Sequence, residues 1–176
     1  MKYIFFSVIM VSIACGALLG AYCQLYCSIK NVLLCWEALV THAIAKRQAL
    51  ITLGSFSSEE NSQLIQEVDF LLKYHHVSWR MFLRKSYDIL FAFKDMEDVL
   101  PQRLHDLLEI SQQVNDQNDV LLCLENFWAS DNLFAFETAA YEQAVGRYLQ
   151  QRSRVSLCLV RWLFRFLNFP VIEFNR

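Results

Sequence analysis

Glycine and proline are scarce in this chain: its 176 residues include 4 Gly and 2 Pro, whereas an average composition would contain about 12% of the two together. Because both residues punctuate turns, their scarcity excludes collagen-like and low-complexity chains and argues against all-β folds. The glycines at positions 16, 20, 54 and 146 cannot form a phosphate-binding loop of the P-loop or dinucleotide type. The sequence therefore predicts long helices without a nucleotide site of either type.

Motifs for catalysis and metal binding are missing as well. None of the 4 histidines falls in an HExxH motif, and no Glu-x-x-His pair supplies the ligands of a di-iron bundle. Adjacent His75 and His76 are expected on different sides of a helix, one at a helix seam and one in solvent. No G-x-S-x-G nucleophile elbow occurs, and the net charge of −2 argues against nucleic-acid binding. We predict no enzymatic activity, no metal, no cofactor and no nucleic-acid partner.

An uncharged apolar run occupies residues 3–29, and about 20 apolar residues suffice to cross the hydrocarbon core of a bilayer. We predict an uncleaved transmembrane anchor at residues 1–30 and a helical bundle domain at residues 31–176. An alternative treats Ser12 to Cys15 as a lipoprotein cleavage box. Lys2 precedes the run, and Lys30, Lys46 and Arg47 follow it, which favours a cytoplasmic bundle.

Within this run, Gly16 and Gly20 form a GxxxG pattern. Two such glycines allow a second helix to approach closely, which makes a homo-oligomer one alternative. The other alternative is that both glycines simply face lipid.

The remaining chain shows the periodicity of amphipathic helices. The first helix should end near Gly54, and a second should begin at a capping box formed by Ser57 and Glu60. We expect that helix to break at the acidic residues 95–98 and to resume at Pro101, with a turn at residues 115–119. The last helix should then run to Pro170 along a heptad seam. The seam positions are Phe134, Thr138, Tyr141, Val145, Tyr148, Arg152, Val155, Leu159, Trp162 and Phe166. The predicted fold is all-α, a transmembrane helix that continues into an antiparallel bundle of long helices.

Charge is sorted along the chain. Residues 95–142 carry 11 acidic residues and 1 basic residue, whereas residues 143–176 carry 6 basic residues and 1 acidic residue. The basic aromatic segment 155–169 could lie on a membrane surface, where Arg161, Trp162 and Arg165 would contact lipid. Alternatively, its arginines pair with the acidic segment and its aromatic side chains belong to the core.

Several of these residues resemble the LemA family of bacterial membrane-anchored helical proteins. Residues 141–148 resemble that family's Tyr-Asn-x-Ala-Val-x-x-Tyr signature, and residues 163–166 its Leu-Phe-Gly-Phe ending. The resemblance covers roughly residues 1–54 and 119–166. The matching positions include Trp36, Asn132, Ala135, Tyr141, Ala144, Val145, Tyr148, Leu163, Phe164 and Phe166.

The chain also departs from the family. Glu142 stands where the family has Asn, and Arg165 where it has Gly. A Phe-Pro break near Val155 is missing, so the last helix is expected to be straighter.

The resemblance implies a single-pass protein of the bacterial inner membrane, in a family without a defined molecular activity. We expect an interaction or scaffold module whose partners are membrane lipid and a protein that the sequence does not identify. The alternative is a membrane-remodelling or envelope-structural oligomer, and a remote one is an enzyme with an unrecognised site.

Overall fold

The computed structural model describes residues 2–55, 61–111 and 117–171. Five α-helices form this part of the chain: α1 (Lys2–Ser55), α2 (Ser62–His75), α3 (Trp79–Ser111), α4 (Gln117–Arg152) and α5 (Cys158–Leu163). A 3-10 turn at Val155–Leu157 precedes α5. The described residues include no strand, so the prediction of an all-α fold is confirmed. The predicted capping box at Ser57 and Glu60, and the turn residues up to position 116, lie outside the described ranges.

Helix α1 is the central element, at 54 residues and roughly 80 Å by the rise of an α-helix. It is long and apolar enough to cross a membrane, and its most apolar window is not buried by the rest of the protein. We call residues 3–20 the uncovered segment, because their side chains are almost all exposed. Burial begins at Leu25 and recurs every three or four residues to Leu53, the spacing of one helix face.

The other helices pack around the second half of α1. Trp36 of α1 contacts Tyr141 of α4, whereas Lys46, further along α1, contacts Asp131, earlier in α4. Helix α4 is therefore antiparallel to α1. Equivalent contacts make α2 antiparallel to α1 and α3 parallel to it. The bundle has up-down-up-down topology.

Two hydrophobic clusters lie along this bundle. The larger cluster surrounds Trp36 and includes the rings of Phe82, Phe93 and Tyr141. The smaller cluster, around Leu50 and Leu53 of α1, contains Leu104 of α3 and Phe127 of α4. Lys46 and Arg47 lie between the two clusters along α1, so charged side chains occupy the middle of the bundle.

The second helix differs from the prediction. It ends at His75, and α3 then runs without interruption through residues 95–98 and Pro101. The indole Nε1 of Trp36 donates a hydrogen bond to the Tyr74 carbonyl at 2.9 Å, which satisfies an orphan acceptor at the end of α2. Continuity of α3 keeps Leu100 and Leu104 in the smaller cluster. The predicted break at 95–98 is wrong because this packing outweighs the local signals.

The predicted last helix is also corrected. Helix α4 ends at Arg152, and α5 is a separate short helix, so the expectation of a straighter helix up to Pro170 is wrong. The heptad seam holds from Phe134 to Tyr148, whose seam side chains are buried. After the turn that follows Arg152, the predicted seam no longer matches the buried side chains. The seam residues Val155, Leu159 and Trp162 are exposed, while Leu157 and Val160 are buried.

Candidate functional site

A network of buried ion pairs joins the four long helices. Lys46 and Arg47 of α1 are 3% and 0% exposed. The Nζ of Lys46 lies 2.6 Å from Glu97 Oε2, and Nη1 of Arg47 lies 2.6 Å from Glu97 Oε1. Each oxygen of this one carboxylate on α3 therefore receives a different cation from α1.

The outer members of the network come from α2, α3 and α4. Glu67 of α2 accepts from Arg47 Nε at 2.9 Å and from Arg103 Nη1 at 2.6 Å. Asp131 of α4 lies 3.1 Å from Lys46 Nζ and is 42% exposed. Three cations thus face three carboxylates. Charge balance and direct hydrogen bonds offset the cost of removing these groups from water.

A groove opens beside this network, between α3 and α4. Its cavity has a volume of about 320 Å³. Lys46 and Glu97 lie at one side of it, and the Lys46 ammonium is 3.8 Å from the centre of the Phe134 ring. The walls are mostly apolar and the remaining charged groups are acidic; the other lining residues are Asp98, Leu100, Pro101, Leu104, Phe127, Trp128, Asp131, Ala135 and Thr138. An apolar surface with a few placed charges is typical of a binding site.

A second candidate surface lies at the end of the uncovered segment. Phe164, just after α5, packs against Tyr22 of α1 at a ring distance of 4.7 Å. Phe166 stacks on Trp79, at the start of α3, at 5.1 Å. Phe164 and Phe166 both contact Tyr22, so this part of the chain covers α1 where its apolar side chains stop being exposed. Trp162 points outward from this surface and is 79% exposed.

Hydrogen bonds fix the path of the chain after α5. Arg152 Nε donates to the Phe166 carbonyl at 2.9 Å, and Tyr148 Oη donates to the Leu167 carbonyl at 2.9 Å. Burial raises the pKa of Tyr148 to about 12, so its hydroxyl remains a hydrogen-bond donor even at alkaline pH where a free tyrosine would ionise. Arg165 has a φ of 54°, in the left-handed region that favours glycine. The structure holds this segment in a strained but fixed conformation.

The sequence-predicted site residues fall into two groups. Most residues that resemble the family motif are buried in the larger cluster: Trp36, Tyr141, Ala144, Val145, Tyr148 and Phe166. Asn132, Ala135, Leu163 and Phe164 are exposed. Gly16 and Gly20 lie on the uncovered segment, and a Cβ added at either position would meet no atom within 4 Å. Trp162 and Arg165 are exposed, and Arg161 is half-buried.

In the described ranges, the arginines of the C-terminal region form no ion pair with the acidic segment. Among the described residues, the ion pairs of Glu97 and Asp131 go to Lys46 and Arg47 of α1. Arg161 instead donates to the Arg152 carbonyl at 3.3 Å. For the described residues, the alternative that these arginines pair with residues 95–142 is therefore wrong. The aromatic part of that alternative holds for Phe166 and Phe169, which are buried.

The histidines form no metal cluster within the described ranges. His75 Nε2 lies 3.0 Å from Thr41 Oγ1, and His76 Nδ1 lies 3.2 Å from Glu37 Oε1. His75 is half-buried and His76 is exposed, although their rings are only 4.1 Å apart. All six cysteines are unbridged.

Sequence reasoning missed the ion-pair network. From the sequence, Lys46 and Arg47 were interpreted as evidence for membrane orientation. The available signal was their spacing from Ala43 and Leu50, because steps of three and four residues place all four side chains on one face of α1. Comparison with protein-family models, with curated proteins and with solved structures finds no match.

Proposed function

We propose that this chain is a single-pass membrane protein whose helical bundle binds another protein without catalysing a reaction. The observation that carries the proposal is the continuity of α1, in which an uncovered apolar segment leads directly into a packed bundle. An exposed apolar surface of this size is unfavourable in water and favourable in a bilayer. The basic residues that follow it support a cytoplasmic position for the bundle.

We further propose that the chain belongs with the LemA-like proteins of the bacterial inner membrane. The φ of Arg165 supports this proposal. Its conformation favours glycine, and glycine is the residue that the resembled family has there. The turn after Arg152 provides similar support, because it stands close to the Phe-Pro break of that family.

The groove between α3 and α4 is the surface that we assign to the protein partner. Its apolar walls suit an amphipathic helix, which is commonly bound in such grooves. Asp98 is exposed, and Asp131 contacts Lys46 through Oδ1 only, so Oδ2 is available to a partner. We therefore expect a partner segment that carries apolar side chains and at least one lysine or arginine.

Site-specific photo-crosslinking in intact cells tests this assignment. A benzoylphenylalanine at Trp128, which lines the groove and is exposed, should give a discrete crosslinked product. Phe136 is an exposed aromatic residue on the same helix outside the groove and is the matched control. Asp131→Lys should weaken the product formed from position 128. Equal products from both positions, or a product unaffected by this substitution, would contradict the groove assignment.

A second candidate function is that of an envelope-structural oligomer assembled through the uncovered segment. The open space beside Gly16 and Gly20 supports it, because another helix could approach there. Replacement of both glycines by leucine should leave the bundle folded and reduce the oligomer size in detergent. An unchanged size would remove the support for this function.

A further inference from the structure

A pocket with three arginines lies between the start of α3 and the chain after α5. Its volume is about 420 Å³. Arg80 and Arg84 of α3 line one side, and Arg165 lines the other. The remaining lining side chains are apolar: Trp79, Leu83, Leu163, Phe164 and Leu167. No carboxylate of the described residues contributes to this lining.

The three arginines differ from those inside the bundle. Arg47 and Arg103 each contact a carboxylate, whereas no described carboxylate lies within ion-pair distance of Arg80, Arg84 or Arg165. The guanidinium of Arg80 lies over the Trp79 ring, 5.1 Å from its centre. Three arginines that line one pocket, with no anion among the described lining residues, favour a ligand that carries negative charge.

The position of the pocket narrows the class of ligand. Trp79 contacts both Phe166 and Tyr26 of α1, and Phe164 contacts Tyr22. Tyr22 follows the uncovered segment by two residues, or about 3 Å along the helix axis. If the uncovered segment crosses the bilayer, the pocket therefore opens at the level of the lipid headgroups.

The walls of the pocket are formed before any ligand binds. The chain through Arg165 is held by the Phe166 N–H, which donates to the Arg161 carbonyl at 3.1 Å, and by the bonds from Arg152 and Tyr148. These bonds maintain the positive φ of Arg165. A preformed site loses less conformational entropy on binding than a flexible one.

We propose that this pocket binds the phosphate headgroup of an anionic phospholipid, whose acyl chains lie along Phe164, Leu163 and Leu167. Arginine pairs with phosphate through two parallel hydrogen bonds, and exposed aromatic and aliphatic side chains suit the acyl region. The inference rests on the anchoring part of the proposed function. It adds Arg80 and Arg84 to the lipid contacts expected from the sequence. It also specifies that these arginines bind a negatively charged lipid headgroup.

Lipid titration of the full chain in detergent micelles tests the proposal. Short-chain phosphatidylglycerol, short-chain phosphatidylcholine and inorganic phosphate are added separately, and bound lipid is counted by native mass spectrometry. Phosphatidylglycerol should bind at least tenfold more tightly than phosphatidylcholine, and inorganic phosphate should not displace it at equal concentration. Equal binding of the two lipids would overturn the proposal. Displacement by free phosphate would overturn the lipid assignment and indicate a phosphate site.

Matched variants separate the pocket from general surface charge. The triple variant Arg80→Gln, Arg84→Gln, Arg165→Gln should lose the preference for phosphatidylglycerol. The control removes three exposed positive charges elsewhere, at Lys85, Arg147 and Arg154, and should retain at least half of the preference. Equal loss in both variants would overturn the proposal.

A charge-retaining variant and an extraction assay complete the test. Arg84→Lys with Arg165→Lys preserves charge but removes the paired donors of the guanidinium, so it should weaken binding severalfold even if the triple variant unfolds. Unchanged binding in this variant would contradict the assigned geometry. Alkaline extraction of membranes tests the anchor separately. A chain that stays in the membrane but lacks lipid preference would overturn only this inference, whereas a chain released from the membrane would overturn the proposed function.

Discussion

Removal of the Glu97 charge should destabilise the bundle strongly, because Glu97 is a buried carboxylate that is shared by two cations. The Glu97 side chain is 8% exposed and accepts from both Lys46 and Arg47 at 2.6 Å. Glu97→Gln keeps the size of the side chain but leaves three buried or half-buried cations with two carboxylates. Breaking a buried ion pair in this way costs about 3–5 kcal/mol. For a chain of this length the loss corresponds to a fall in Tm of roughly 6–20 °C.

Thermal unfolding of the full chain in detergent, followed by far-ultraviolet circular dichroism, measures this effect. Asp131→Asn is the matched control, because Asp131 is 42% exposed and makes one longer contact of 3.1 Å. It should cost about 1 kcal/mol or less. A Glu97→Gln variant whose Tm lies within about 2 °C of that of Asp131→Asn would differ from it by less than about 1 kcal/mol. That result would refute the argument that burial makes the loss of the Glu97 charge costly.

A double-mutant cycle shows whether the effect comes from the pair itself. Lys46→Met alone leaves Glu97 with Arg47, and Lys46→Met combined with Glu97→Gln removes both charges of the pair. The double variant should lose less stability than the sum of the losses in the two single variants, by at least about 1 kcal/mol. Strict additivity would show that Lys46 and Glu97 do not interact energetically.

Three further predictions concern other parts of the bundle. Burial raises the pKa of Tyr148 from 10.0 to about 12, so the protonated Tyr148 side chain stabilises the fold fully below pH 10. This stabilisation falls by about 2–3 kcal/mol between pH 10 and 12, and Tyr148→Phe should therefore reduce the dependence of Tm on pH over that range. Burial also raises the pKa of the Cys123 thiol, whereas Cys158 is exposed. A maleimide should therefore label Cys158 at least tenfold faster than Cys123. Peptide mass spectrometry measures the two rates, and equal rates would contradict the burial of Cys123. Pro101 lies inside α3 and has no backbone N–H to donate to the helix, so Pro101→Ala should raise the free energy of unfolding by about 1–3 kcal/mol. A lower free energy of unfolding in this variant would contradict the prediction.

The long helices α1 and α4 could be predicted because each is specified by its own sequence. Between Gly20 and Gly54 no glycine or proline interrupts α1, and its apolar residues recur with helical spacing. The seam of α4 is equally regular from Phe134 to Tyr148, and its side chains are buried as expected. In both helices, local propensity and tertiary packing favour the same structure.

The ends of α2 and α4 could not be predicted, because distant side chains satisfy their terminal carbonyls. Trp36, 38 residues before Tyr74, donates to its carbonyl near the end of α2. Arg161 donates to the carbonyl of Arg152, the last residue of α4. Neither break has a glycine or proline beside it. The local sequence therefore does not indicate either helix end. Because the turn after Arg152 was not predicted, the seam positions that follow it were assigned to the wrong side chains.

The network was missed for a related reason. A charged residue near a helix end usually interacts with solvent or with the helix dipole, so the positions of Lys46 and Arg47 in the sequence do not by themselves indicate burial. Their burial depends on Glu67, Glu97 and Asp131, which lie 20 to 85 residues away. Only the three-dimensional fold brings these carboxylates to one level of the bundle. Charge sorting along the sequence did indicate that the acidic segment has an internal partner, but it pointed to the C-terminal arginines instead.

Two positions in the described chain break local backbone rules, and each lies at one of the two proposed binding surfaces. Pro101 interrupts the hydrogen-bond ladder of α3 where that helix lines the groove. Arg165 adopts a positive φ where the chain lines the arginine pocket. Each feature costs stability that an alanine or a glycine at the same position would restore. Proteins retain such costs most often at functional sites. This coincidence therefore supports the assignment of a protein partner to the groove and of an anionic phospholipid to the arginine pocket, independently of the charges at either surface.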